Sequence, residues 1–379
     1  MVTIASVDRC REVLGRSIAE SAQRAARPAV GCFPVYTPFE LFHAAGALPV
    51  GLIGAGGTLE IAHADARFQS FVCSIAKSTL ELGLQGRLED LEVAVFHSIC
   101  DVARNLASVF ERNFPDLHVE YIHLPQSADV PEAEEYLAAE YRRVLRDLEA
   151  WLGCSVRDED IRASVRLYND ARRRMRALYA LRAEEPERLS AAESLLLVRA
   201  GTLIPPEEHA RLLDRAVQEL RERDVRPMDR VRVVVEGAFC EQPPLGLVEV
   251  LEGAGCYVVD DDFLAGWRWF TADVGETGDP VRALARAYLA RSRVSSVRHD
   301  PARPRPRDLV ERVKRSGAQA VIFMPAKFCE PALFDQVLHR RALDAAGIPH
   351  LQLEFEEKMW TFERARGEVE TFVESLLFD

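Results

Sequence analysis

"VIFMPAKFCEP" occupies residues 321–331. Its apolar opening has the β-branched and aromatic content of a buried parallel strand, and Pro325 stops it. Shortly afterwards comes Cys329, with an acid, Glu330, behind it. The phrase has two relatives in the same chain, "VVVEGAFCEQP" at 233–243 and "VAVFHSICDV" at 93–102. Cys100, Cys240 and Cys329 therefore all fall just past the end of a strand. In open parallel sheets that is where ligands bind, beyond the carboxyl ends of the strands at the topological switch point.

Further elements appear on either side. "GALPVGLIG" (46–54) reads as a first strand, after the helix "TPFELFHAAG" (37–46), with Thr37 as its cap, Pro38 at its first position and Gly46 at its end. A single helix is expected over 6–27. "SFVCSIAKSTLELGL" (70–84) reads as a helix carrying Cys73. "LEVAVFH" and "HVEYIHL" are strands flanking the helix "DVARNLASVFERN". From about 131 to 224 the chain is charged and helical in period, with no strand. Strands resume with "VRVVVEG", "CYVVDDD", "AQAVIFM" and "HLQLEFE". "LGLVEVLEGAG" and "PALFDQVLHRRALDAAGIP" are helices that end at glycine. "RHDPARPRPRD" (298–308) reads as a surface loop.

This alternation predicts an α/β protein built of parallel βαβ units. Two Rossmann- or flavodoxin-like domains are expected to face a cleft, with an added helical segment. The boundaries are 1–135 for an N-terminal domain holding Cys73 and Cys100, 136–228 for the connecting helices, and 229–379 for a C-terminal domain holding Cys329. At roughly 100–200 residues per domain, a 379-residue chain has room for this.

The formal net charge of −12 argues against nonspecific binding to nucleic acid, which needs a basic face. Neither a signal peptide nor an apolar membrane span is apparent, so a cytoplasmic protein with eight reduced cysteines is expected. The long separations between Cys73, Cys100 and Cys329 match neither a C-x2-C zinc site nor a ferredoxin run. They suit a cluster held in an interdomain cleft. They equally suit thiols that merely line strand ends. Lys77 and Lys327, two of only four lysines, stand near these cysteines in sequence, either as counter-charges or as solvated side chains.

"VYTPFELFHAAGALPVGL" (35–52), "SICDVARN" (98–105), "GAGCYVVDDD" (253–262), "GAQAVIFMPAKFCEPALFD" (317–335) and "AAGIPHLQLEFE" (345–356) together resemble the 2-hydroxyacyl-CoA dehydratase D-component family, which includes benzoyl-CoA reductase subunits. The resemblance runs over nearly the whole chain. It implies two α/β domains around a cleft and a [4Fe-4S] cluster on three cysteines, which correspond here to Cys73, Cys100 and Cys329. Cys240 departs from the family pattern, and it or Cys32 stands as a further thiol that approaches the cluster or only packs. Cys10, Cys154 and Cys256 are assigned to packing.

Within the family, "FHSICDVARNLASVFERNFPDLHVEYIHLPQ" and "EGAFCEQPPLGLVEVLEGAGCYVVDDDF" are most similar to the C (gamma) subunits of ATP-dependent benzoyl-CoA reductases. That resemblance implies a partner subunit with its own cluster and two ATPase (activator) subunits that carry ATP and Mg. It implies ferredoxin as the donor and benzoyl-CoA as the substrate. The reaction would be two-electron reduction to cyclohexa-1,5-diene-1-carbonyl-CoA. The alternative is a subunit of a 2-hydroxyacyl-CoA dehydratase; a more remote one is a non-enzymatic, bilobed solute-binding protein. The chain shows no Walker A sequence, no well-formed GxGxxG and no GxSxG elbow, which agrees with ATP binding elsewhere.

His97, His43 and Tyr36 are the candidate proton donors; core hydrogen bonding is the competing role for each. Asp101 and Glu330 read as caps for the helices that begin there. The three acids of "YVVDDDF" read as a solvated turn.

Overall fold

Each half of the chain repeats one wiring. In the computed structural model, which describes residues 3–33, 36–55, 59–237, 240–263, 270–291, 304–356, 359 and 361–378, two four-stranded sheets form. Their orders are β2-β1-β3-β4 and β6-β5-β7-β8, with every pairing parallel. In both, the first strand lies between the second and the third. The chain therefore turns opposite ways on leaving that strand, and a crevice opens at its carboxyl end.

The first half runs α1 (Ala5–Leu14), α2 (Ile18–Ala25), β1 (Ala29–Cys32), α3 (Phe39–Ala44), β2 (Leu48–Gly51), α4 (Ser74–Leu84), β3 (Leu91–His97), α5 (Asp101–Asn113) and β4 (His118–Ile122). Four helices follow: α6 (Glu132–Leu152), α7 (Asp158–Glu184), α8 (Ala191–Ala200) and α9 (Pro206–Glu222). The second half runs β5 (Val231–Glu236), α10 (Leu245–Gly253), β6 (Cys256–Asp261), α11 (Pro280–Arg291), α12 (Arg305–Ser316), β7 (Ala320–Phe323), α13 (Glu330–Ala345), β8 (His350–Gln352) and α14 (Glu363–Phe378).

Four expectations about the elements need correction. The single N-terminal helix is two, broken after Gly15, because Ser17 starts a second helix. Its hydroxyl accepts from the Glu20 amide at 3.1 Å, and Glu20 accepts from the Ser17 amide at 2.8 Å. "GALPVGLIG" holds the second strand; the first is β1, only four residues long and entirely buried. The α3 helix begins after Pro38, and Thr37 supplies no side-chain cap. Finally, the proline-rich stretch is helical from Arg305, where a proline in the first turn is preorganised for helix; residues 298–303 lie outside the described residues.

The core continues from one sheet to the other, while α1, α7, α8 and α9 share a second core of their own. The 27-residue α7 is about 40 Å long and touches both halves. Near its middle, Arg172 pairs with Glu40 of α3, both buried. Towards its end, Arg182 pairs with Asp261 of β6 at 2.6 Å, and Tyr179 donates to the same carboxylate at 2.9 Å. A second tie comes from α11, which packs on α6 and pairs Arg286 with Glu134 at 2.9 Å.

The acids of "YVVDDDF" are not solvated. Asp260, Asp261 and Asp262 are all buried. Arg312 of α12 binds Asp260 at 3.0 Å and Glu236, the last residue of β5, at 2.6 Å. Asp262 accepts from the Gly237 amide at 3.0 Å. These bonds fix the carboxyl ends of β5 and β6.

Truncating Arg312 to alanine strands two buried carboxylates. Arg312→Ala is expected to cost about 3–5 kcal/mol in urea unfolding. Arg364→Ala, on an exposed i,i+4 pair of α14, should leave the midpoint in place. Equal midpoints for the two variants would refute the clamp.

Candidate metal centre

Cys73, Cys100 and Cys329 share one structural position: each is the residue that caps the amino terminus of a helix, α4, α5 and α13 respectively. At such a site the first amides of the helix point outwards and the helix dipole presents its positive end. A thiolate is favoured there. The Cys100 sulfur accepts from the Ala103 amide at 3.4 Å. Asp101 and Glu330 are not the caps but the first helical residues, where a carboxylate still complements the dipole. In Cys100–Asp101 and Cys329–Glu330 the pair of cysteine and acid is thus a cap followed by a first-turn charge.

The three caps are near enough for their charges to act on one another. Burial pushes the Cys73 thiol well above its usual range, and Glu241, Cys329 and Cys100 push it further; the Ala76 amide opposes them. Burial also raises Cys100, against the Ala103 and Val102 amides, with Asp101 and Glu330 adding to the rise. Charges from the second half, at Cys329 and Glu330, therefore act on thiols of the first. Among the described residues no three His, Cys, Asp or Glu side chains are close enough to hold a single ion. A four-iron cluster separates its thiolates more widely, because the cluster itself lies between them. Three thiols at positive helix ends, close enough to influence one another, have the donor chemistry that a [4Fe-4S] cluster takes, namely thiolates around a group of net negative charge.

The lysines do not serve this centre. Lys77 pairs with Asp65 and Lys327 with Glu356, each at 2.8 Å. Cys32 ends β1, fully buried, and its thiol donates to the Val30 carbonyl at 3.6 Å. Cys240 is buried in the shared core.

His97 is the last residue of β3, buried, just ahead of Cys100. His43 lies on α3 with Nδ1 2.9 Å from the Ser164 hydroxyl and its ring edge-on to Tyr168, both on α7. Burial holds its pKa down to about 4. Tyr36 sits at φ 64° with its ring edge-on to Tyr288 of α11. Phe328, immediately before Cys329, has φ 65°. Non-glycine residues adopt that left-handed conformation only when their surroundings impose it, and such positions gather at functional sites.

Sequence reasoning missed Glu241. Its buried carboxylate crosses from the second half and accepts from Ser74 Oγ and from the Ile75 amide, the latter at 3.1 Å. Burial raises its pKa to about 7 against those two hydrogen bonds. The signal was present, since Glu241 is the acid of the third cysteine–acid pair.

A family model described as 2-hydroxyglutaryl-CoA dehydratase, D-component, matches residues 34–376. The C subunit of the benzoyl-CoA reductase of Thauera aromatica is 35% identical over 92% of this chain and 91% of the relative. The beta subunit of the lactoyl-CoA dehydratase of Anaerotignum propionicum is 30% identical, again over 92% and 91%. The (R)-phenyllactyl-CoA dehydratase beta subunit of Clostridium sporogenes is 26% identical over 95% and 94%.

The loop that delivers Glu241 starts at Gly237, whose φ of 111° disfavours any side chain and whose Cβ would stand 3.2 Å from the Pro325 backbone nitrogen. Gly237→Ala should therefore cost about 1–3 kcal/mol in chemical denaturation. A midpoint equal to that of the parent would mean that the loop absorbs the change freely.

Proposed function

Because the chain belongs to the 2-hydroxyglutaryl-CoA dehydratase D-component family, we propose that it is the iron–sulfur subunit of an ATP-dependent benzoyl-CoA reductase. The observation that carries the reading is the meeting of Cys73, Cys100 and Cys329 at three helix caps. The higher identity to a reductase subunit than to the two dehydratase subunits supports the choice within the family.

On this reading Cys73, Cys100 and Cys329 would hold a [4Fe-4S] cluster, which would supply single electrons when bound. The chain's own residues do the rest. The helix ends of α4, α5 and α13 stabilise negative charge in the cleft. His97 is the proton donor we retain, since it adjoins the Cys100 turn. His43 is engaged by Ser164 and is uncharged at neutral pH. Overall, benzoyl-CoA takes up two electrons, originating in reduced ferredoxin, and two protons, and becomes cyclohexa-1,5-diene-1-carbonyl-CoA. ATP and Mg belong to two partner ATPase subunits, and the substrate site is completed by a second subunit with its own cluster. A cytoplasmic setting goes with such a complex.

The surface supports a role as one subunit among several. Phe334, Val337 and Leu338 on α13 are 73%, 53% and 48% exposed, an apolar stripe on the helix that Cys329 caps. Such a stripe is unusual on a free-standing protein. The second reading, a 2-hydroxyacyl-CoA dehydratase subunit, is favoured by the beta subunits among the relatives.

Anaerobically purified protein is expected to hold about four irons with matching acid-labile sulfide. Cys100→Ser should lose most of both, together with the EPR signal of the reduced state. Absence of iron from both proteins would sink the cluster reading. Product analysis with the assembled complex separates the two reactions: a cyclic diene from benzoyl-CoA supports the reductase, whereas an enoyl-CoA from a 2-hydroxyacyl-CoA, with benzoyl-CoA untouched, supports the dehydratase.

A further inference from the structure

We infer that Glu241 is a positioning residue that ties closure of the two halves to the placement of Cys73. A residue at a helix cap ordinarily uses its own side chain to take the second or third amide of the helix. Cys73 makes no side-chain cap hydrogen bond of ordinary geometry, and the Ala76 amide acts on its sulfur only weakly. The second amide of α4, that of Ile75, instead donates to Glu241 at 3.1 Å, and the first residue, Ser74, donates its hydroxyl to the same carboxylate. The capping of the Ser74 hydroxyl and the Ile75 amide has thus passed to the opposite half of the molecule.

Glu241 is well placed to act as a fixed arm. Cys240, Glu241 and Gln242 are all buried, and Pro243 and Pro244 follow, leading directly into α10. Proline at both positions removes backbone freedom between the arm and its helix. Electrostatics alone would argue against this location. A carboxylate beside a thiol opposes its ionisation, and Glu241 does so at Cys73. Its presence there is accounted for by the hydrogen bonds it accepts across the interface. When the halves part, α4 loses its cap and Cys73 loses its alignment with the other two thiols.

Amide hydrogen exchange on the full chain tests the latch without iron. In Glu241→Ala, exchange in the first turn of α4, residues 74–77, should rise about tenfold or more, while β3 and α9 keep their protection. Glu241→Gln retains an acceptor for the Ile75 amide and should restore most of that protection. The iron arm rests on the ligand reading above. There, chelator should strip iron from Glu241→Ala about tenfold faster than from the parent, with Glu241→Gln in between. Unchanged exchange at 74–77 in Glu241→Ala would overturn the inference, as would a glutamine variant no better than alanine. If Glu241→Ala does not accumulate as folded protein, Ser74→Ala takes its place. It removes one bond of the latch and should raise exchange over the same residues; no rise would count against the latch. Raised exchange in proteins that never hold iron would remove the cluster and leave the latch standing.

Discussion

The two buried arginines of α7 set the geometry on which the rest depends. Arg172 meets Glu40 in the first half and Arg182 meets Asp261 in the second. Both pairs are out of water, so neither partner can be lost without leaving an uncompensated charge. Because both arginines project from one helix, their spacing is set by the helical rise and not by loop conformation. The two sheets are thereby held against a common ruler, and their carboxyl ends open onto a shared space. Residues on short loops from different halves can then meet there reproducibly.

Polar ties of this sort recur along the interface. Asn169 on α7 receives the Val274 amide and donates to the Val274 carbonyl, each at 2.8 Å, imitating one rung of a sheet ladder. Arg312 joins the ends of β5 and β6. Hydrophobic burial supplies the bulk of the cohesion, but it is indifferent to small slides. Directional bonds between charged groups are not, and they occur where register matters for the cysteines.

Much of the architecture could be read from the chain because strand and helix periods are local properties. The β3, β5, β6 and β7 runs are continuous apolar stretches, as strands buried on both faces must be. The β1 strand escaped because it is four residues long with glycine inside it, and only its place between β2 and β3 makes it a strand. Cys73 entered through the family resemblance; that Cys100, Cys240 and Cys329 fall just past strand ends was legible through repetition. The roles of their neighbours were not. Whether an acid after a cysteine caps its own helix, complements a dipole or reaches another domain depends on tertiary distance. Asp101 and Glu330 took the second role and Glu241 the third. The three aspartates at the end of β6 looked solvated because their partners lie far away in sequence, Arg312 for Asp260, Arg182 for Asp261 and the Gly237 amide for Asp262.

The uneven division of the thiols between the halves bears on how the protein is made. Cys73 and Cys100 leave the ribosome early, within a sheet that can form from what has already been synthesised. Cys329 follows only after the helical segment and most of the second sheet. For most of synthesis the nascent chain carries two thiols at open helix ends and no third. A cofactor bound by all three cannot be seated during that interval. On the cluster reading, loading would belong to the finished chain and would compete with oxidation of the two waiting thiols for as long as the second half is incomplete.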